Sequence, residues 1–172
     1  MLTGKKIKLR ALELPDLEML YKWENNTSVW KVSNTITPFS RHVLEQYLLS
    51  SHNDIYTTKQ LRLVIELNES KIPIGLIDLF DFDAQHLRAG IGILIAEEKE
   101  RQNGYASEAI DILKNYCFST LNLKQLYCNV GKENQVSLKF FEKRGFEIAG
   151  VKKAWLKNSS GWEDEYFMQL VK

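Results

Sequence analysis

Apolar and polar positions alternate along this chain in two rhythms, and the switches between them mark out its elements. Residues 6–11 alternate apolar and basic side chains, the period of a half-buried strand. Pro15 then opens a helical spacing through Leu17, Leu20, Tyr21 and Trp23, which Asn25-Asn26 ends. Thr37-Pro38 is placed to cap a second helix running to about Ser51, with Val43, Leu44, Tyr47 and Leu48 on one face. Leu61, Leu63, Ile65 and Leu67 fall at period two, residues 68–71 read as a turn, and residues 74–82 form a second β run, so this is a hairpin. After a polar turn at 83–86, residues 88–95 give a third antiparallel strand in which Gly90 and Gly92 alternate with Ile91, Ile93 and Ile95. Glycines there weaken the strand but let something lie close to it.

The second half continues the pattern. Ala106, Ala109, Ile110, Leu113 and Cys117 stand at helical spacing, the helix stops near Asn122, and residues 125–130 make a short strand. Strand, helix, strand in that order implies a parallel crossover. Asn134 caps a further helix through Leu138 and Phe141, closed by Arg144-Gly145. Residues 151–155 and 162–170, separated by Asn158-Ser159-Ser160-Gly161, make a terminal hairpin. The order β, α, α, β, β, β, α, β, α, β, β predicts an α/β (α+β) fold. Its central mixed, mostly antiparallel twisted sheet has about seven strands, with helices on both faces.

Composition narrows the class. The 172 residues, 44% of them hydrophobic, suffice for the core of one domain, and no linker-like tract suggests a boundary. Twenty-three basic against 22 acidic residues leave a formal charge of +1, which gives no bias toward nucleic acid. Any charged partner must therefore be recognised locally. Cys117 and Cys128 sit in apolar contexts and read as buried reduced thiols, and His42, His52 and His86 lack metal-ligand spacing, so no metal is expected. Residues 1–10 lack the apolar core of a signal peptide and no charge-free run approaches a membrane span, so the expectation is a cytoplasmic protein without a membrane partner.

The stretch that carries chemistry is Arg101-Gln102-Asn103-Gly104-Tyr105-Ala106, between an apolar run and an amphipathic helix. Gly104 allows unusual backbone angles and close approach, and the helix beyond it opens with unpaired amides and a positive dipole end. That combination suits a pyrophosphate, although glycine before a helix is also ordinary turn chemistry.

Four groups of residues resemble the GNAT-family N-acetyltransferases, in the branch of the spermidine and ribosomal-protein N-acetyltransferases. They are Lys8-Leu9-Arg10 with Glu13-Leu14-Pro15-Asp16-Leu17; Gly75-Leu76-Ile77-Asp78-Leu79; Arg101, Gly104, Ala106, Glu108 and Ala109; and Asn134 and Ser137 with Glu142-Lys143, Gly145 and Phe146. The resemblance spans nearly the whole chain in the family's order and implies one acetyltransferase domain over residues 1–172. It implies acetyl-CoA as cosubstrate, its pantetheine arm paired along the strand at Ile93, Leu94 and Ile95 where this splays from residues 127–130. It assigns the pyrophosphate to the amides of Gln102, Asn103, Gly104, Tyr105, Ala106 and Ser107, added charge to Arg101, and hydrogen bonds to the arm to Asn134 and Ser137. Asn134 is equally explained as a helix cap. Homodimers or higher homo-oligomers are common in such families.

For the chemistry, a primary amine with a pKa of about 10.4 must lose a proton before it attacks a thioester. Asp78, where the spermidine enzymes also carry an acid, and Glu24, at the end of the first helix, are the candidate bases. A solvated strand position explains Asp78 as well. The backbone N–H around Leu94 is the candidate donor to the oxyanion, as in related enzymes. Many family members place a tyrosine seven residues after the motif Asn as general acid, and here that position is Phe141. Leaving a thiol of pKa about 8.5 unprotonated at pH 7 forfeits roughly 2 kcal/mol, a slowing that solvent or Tyr166 as proton source can relieve. Gln102 stands where glycine is common, and the segment 96–104 is about a residue longer than in the spermidine enzymes.

The expected reaction is acetyl transfer to a primary amine, small and polyamine-like, by direct attack in a ternary complex, because neither cysteine has a basic neighbour to activate it. Two alternatives stay open: acetylation of a protein N-terminus, and a catalytically silent acyl-CoA-binding module. The acid-free segment 31–42 weighs against a polyamine. Trp23, Trp30 and Trp155 suit either a core or an acceptor pocket, and Glu163, Asp164 and Glu165 either a solvated hairpin turn or an amine-attracting cluster.

Overall fold

The computed structural model describes residues 2–33, 35–50, 54–159 and 161–172, so the readings at Ser51, His52 and Ser160 lie outside the described residues. Its centre is an eight-stranded sheet in the order β1-β2-β3-β4-β5-β6-β8-β7. The strands are β1 (Leu2–Thr3), β2 (Ile7–Ala11), β3 (Leu61–Leu67), β4 (Pro73–Asp83), β5 (Arg88–Ile95), β6 (Gln125–Gly131), β7 (Glu147–Asn158) and β8 (Gly161–Val171). Every neighbouring pair is antiparallel except β5 with β6, which the long helix α5 (Tyr105–Ser119) connects as a parallel crossover.

Alternation along the strands divides the core between the two faces. Ile7, Leu9, Leu63, Ile65, Ile77, Leu79 and Ile91 join Ala109, Ile110 and Leu113 of α5 and Leu138 and Phe141 of α6 (Gln135–Glu142) in one cluster. On the other face Val64 and Leu76 pack against Leu20 and Trp23 of α1 (Leu17–Glu24) and Leu44 and Leu48 of α3 (Arg41–Leu49). Strands β3 and β4 are therefore covered on both sides, which is why residues 63–66 and 74–77 are buried without a break.

Several boundaries differ from the sequence reading. The two-residue β1 raises the strand count to eight, and the short helices α2 (Thr27–Ser33) and α4 (Ile55–Thr58) lack an apolar stripe long enough to announce them. The cap of α3 is Ser40, whose hydroxyl accepts from Val43 N–H at 3.2 Å, and not Thr37. Asn25 explains the delay: its side chain holds both the N–H and the C=O of Phe39, at 2.8 and 3.0 Å, and keeps that residue out of the helix. The terminal hairpin reaches from residue 147 to 171, so Glu163, Asp164 and Glu165 lie within a strand and not in a turn.

An ion network fixes the entry to α1. Arg10 makes two hydrogen bonds to Asp16, at 2.7 and 2.9 Å, and a third of 2.5 Å to Glu66, which also holds Lys8 at 2.9 Å. Asp16 and Glu66 are only 7% and 6% exposed, so the pairing is what makes their burial tolerable. Burial raises the pKa of both carboxyls. For Asp16 the Arg10 hydrogen bonds, the Glu13 amide and the Arg10 charge outweigh it; for Glu66 the Lys8 and Arg10 hydrogen bonds and charges do, and both pKa values end below the usual range. A depressed carboxyl pKa stabilises the fold above the unfolded value, about 4, and this is lost as pH falls through the folded value. Arg10→Ala is expected to cost about 2 kcal/mol at neutral pH and to flatten the acid limb of a stability-against-pH curve measured by urea unfolding.

Candidate active site

Strands β5 and β6 are paired only at Arg88, Ala89 and Gly90 with Gln125, Leu126 and Tyr127. Beyond Gly90, β5 stays with β4 as far as Ile95, while β6 stays with β8 as far as Gly131. A wedge opens between them.

Which main-chain groups face the wedge follows from the register. Ala96 N–H donates to Ile74 C=O at 2.9 Å, so even-numbered residues of β5 turn their backbone toward β4. A Cβ on Gly75 would lie 2.1 Å from the Leu94 carbonyl oxygen, which points the same way. Ile95 C=O is turned outward, where Arg101 Nε donates to it at 3.0 Å. Ile93 and Ile95 therefore present their N–H and C=O to the wedge, and Leu94 does not. The Leu94 amide expected at the oxyanion is committed to the β4 ladder, a one-residue parity that periodicity of side chains does not reveal.

The loop after β5 passes through a 3₁₀ turn (Glu98–Glu100) to Gly104, at φ +84°, which precedes α5 with no side chain capping the helix. Its first helical bond runs from Glu108 N–H to Gly104 C=O, leaving the amides of Tyr105, Ala106 and Ser107 ahead of the ladder. A Cβ at Gly104 would meet nothing within 4 Å, so the space beside Gly104 is open. Gln102 stands at φ +64°, a left-handed conformation that explains why glycine suits this position. Arg101 folds back to the strand end, with Glu98 3.8 Å from its guanidinium. The cation beside the loop is Lys6, missed in the sequence, with Nζ 3.4 Å from the Asn103 carbonyl and 5.9 Å from the Tyr105 ring centre.

On α6, Asn134 Oδ1 accepts from Ser137 N–H at 3.1 Å, the capping role. Phe141 is 6% exposed and packs edge-on between Phe140 and Phe146, so the position of the usual acid is part of the core. Tyr166 pairs with Val130 across β6 and β8 and packs against the same core.

The opposite face holds the candidate bases. Arg62, on β3, donates to Asp78 at 2.6 and 3.3 Å and to Glu24 at 2.7 Å, joining the two carboxylates into one group. Burial opposes the Arg62 charge, but Asp78 above all, with Tyr47 and Glu24, raises its pKa, so it is a fixed cation. The Tyr47 ring lies 5.8 Å away. Arg62 sits at a polar position of an alternating strand, and only the pairing of Arg62 with Asp78 across β3 and β4 reveals what it does.

The tryptophans separate. Trp23 is core and its indole N–H reaches Glu97 at 3.1 Å, Trp30 donates to the Glu24 carbonyl at 2.8 Å, and Trp155 is exposed. Glu163 and Glu165 are buried, Glu165 paired with Lys152 at 2.8 Å and Glu163 accepting from Asn158 at 3.0 Å. What lies close over Gly90 is the chain's own Phe80 ring, 2.2 Å from where a Cβ would stand.

The model of the acetyltransferase (GNAT) domain matches residues 6–147. A spermidine N(1)-acetyltransferase of Escherichia coli K12 is 32% identical over 148 residues, 86% of this chain and 76% of that one. A spermidine N-acetyltransferase of Vibrio cholerae, solved with CoA and spermine, superposes with a TM-score of 0.87 at 26% identity, covering 98% of this chain and 96% of that one. A dodecameric structure of the Vibrio cholerae enzyme gives 0.80 at 29% identity, covering 98% and 95%. The chain belongs to the GNAT acetyltransferases. It is an acyltransferase with the mixed sheet of that fold.

Both cysteines are remote from nucleophilic work. Burial pushes the thiols of Cys117 and Cys128 up to about 12. In native protein at pH 8 neither is expected to be alkylated by iodoacetamide within an hour, whereas both label once the chain is unfolded; mass spectrometry reads the difference.

Proposed function

We propose that this protein transfers acetyl from acetyl-CoA to a primary amine of a small, polyamine-like acceptor, by direct attack in a ternary complex. The observation that carries the reading is an uncapped helix N-terminus at the mouth of an open strand wedge. Such an end takes a pyrophosphate, and an unpaired strand edge takes an extended amide-bearing arm.

The residues that would hold the coenzyme fit it. Tyr105, Ala106 and Ser107 amides, with Gln102, Asn103 and Gly104 shaping the loop and Arg101 and Lys6 at its sides, receive the phosphates. Ile93 and Ile95 hydrogen-bond the arm along β5, and the Ser137 hydroxyl and Asn134 stand at the start of α6. Acetyl-CoA supplies the activated acetyl thioester. From the other face, Glu24 and Asp78 with one Arg62 leave a net negative charge that draws an ammonium, and either carboxylate accepts its proton directly or through water. An Ile93 or Ile95 amide donates to the acetyl oxygen as charge develops there. With Phe141 in the core, the departing sulfur takes its proton from solvent or Tyr166. Similarity to enzymes named for spermidine supports the amine acceptor, and the dodecameric relative supports a homo-oligomer.

Free-CoA release with spermidine, short diamines, amino sugars, amino acids and N-terminal peptides tests this. Turnover is expected with the diamine and polyamine class, rising from pH 7 to pH 9 as the amine deprotonates. Asp78→Asn or Glu24→Gln, whichever removes the proton acceptor, is expected to lower kcat about a hundredfold. Acetyl-CoA binding without release by any amine would reject the reading in favour of a silent binding module.

Gly104→Ala is expected to raise the KM for acetyl-CoA about tenfold, because a side chain at φ +84° strains the loop by roughly 1 kcal/mol and shifts the amides. An unchanged KM would place the phosphates elsewhere.

A further inference from the structure

The sheet face that carries Asp78 is covered by α1 and α3 over β3 and β4, and a cavity of about 520 Å³ opens beyond their cover, over β5, β6 and β8. One end of it reaches Asn129, the next residue on this face after Tyr127, where β6 leaves β5. That end adjoins the apex of the wedge. The other end runs away from the α5 loop to Asp81 and Asp83 at the far end of β4.

Two aromatic rings, Tyr127 and Phe167, stand in its otherwise polar lining. The Tyr127 and Phe167 rings lie 5.3 Å apart and tilted by 36°, and Phe80 meets Tyr127 edge-on at 5.8 Å. Ring faces of this kind attract a cation within about 6 Å.

The charges around the rim are unequal in their commitments. Arg88 is paired with Asp83 at 3.1 Å, and Lys152 is held by both Glu165 and Asn129 at 2.8 Å. Asp81 has, among the described residues, no basic partner and accepts only the Tyr127 hydroxyl, at 3.2 Å. A bulge between Phe80 and Asp83, with Asp81 at φ +49°, swings its carboxylate to the face of Tyr127, where strict alternation would have turned it away. Burial first, then the neighbouring Asp81 charge and hydrogen bond, pushes the Tyr127 hydroxyl up to about 12, so it stays a donor to that carboxylate.

We propose that this cavity is the subsite for the distal ammonium of the acceptor, seated between the Asp81 carboxylate and the Tyr127 and Phe167 rings while the reacting amine lies at the wedge. The inference rests on the acetyl-transfer reading for its orientation and deepens it, since it makes the acceptor a molecule with two cationic groups.

The test compares putrescine with butylamine, which lacks only the distal amine. The ratio of their kcat/KM values is expected to favour putrescine in the parent protein and to fall about tenfold in Asp81→Asn, which keeps the shape and tolerates the left-handed backbone. Tyr127→Leu, which removes the ring, is expected to lower the ratio in the same direction. Putrescine is also expected to raise the Tm of the parent protein and not that of Asp81→Asn, a readout that needs no turnover. Asp81-dependent stabilisation without turnover of any amine would keep the subsite and reject acetyl transfer to amines. Turnover of putrescine with a ratio unmoved by Asp81→Asn would keep the enzyme and overturn the subsite.

Discussion

Two parallel strands that stop bonding to each other after three residues are the constraint on which the rest of this molecule depends. Past Gly90 and Tyr127, β5 and β6 each keep one partner and lose the other, so the edges facing the wedge carry peptide groups without a strand to satisfy them. A chain could close such a gap with a further strand or with a side-chain cap. Here the Ile95 carbonyl receives Arg101 at the mouth, and the groups of Ile93 behind it face the opening. An edge of that kind inside a domain invites an extended ligand with amides of its own.

The sheet then acts as a partition with a slot in it. One face is filled by α5 and α6, whose N-termini stand near the open end of the wedge, and their cluster is continuous with the core. The other face is covered by α1 and α3 only over β3 and β4, which leaves Tyr127 on a surface a second substrate can approach, with the partly exposed Asp78 at the margin of the cover. In the proposed reaction the backbone amides that would take phosphate and the carboxylates that would attract an amine lie on opposite sides of the sheet, so that the two reactants would meet through the slot. The glycine at 90 lets the Phe80 ring occupy the space a side chain would take over β5.

Much of this was legible because it is written in local patterns. The limits of β5 at 88 and 95 follow from its alternation, and the loop before α5 follows from Gly104 and the helix periodicity after it. What escaped depends on pairing between distant segments. Arg62 is one polar residue among alternating neighbours until β3 docks on β4 and brings Asp78 opposite it. The direction of the Leu94 amide depends on which hydrogen bond starts the β4–β5 ladder, which side-chain periodicity leaves open. Glu163 and Glu165 fall within the strand predicted over 162–170, but that both are buried there follows only from β6 and β7 pairing with β8 along almost its whole length. Ser40 replaced Thr37 as a cap because Asn25, fifteen residues upstream, holds Phe39 extended.

The electrostatics of the acceptor face follow from the same pairings. The chain as a whole is nearly neutral, so it offers no long-range field to gather a cation. On this face Lys8 and Arg10 balance Glu66 and Asp16, and Lys152 balances Glu165. Arg62 faces Glu24 and Asp78 with no second cation and leaves one negative charge over, and Asp81 beyond it has no basic partner among the described residues. A cation arriving here is therefore attracted at a particular place instead of being spread over a general acidic surface. Because that excess lies beside the wedge, on paired strands, attraction and orientation come from the same structure, and in the proposed reaction discrimination between amines would depend on how their charges are spaced.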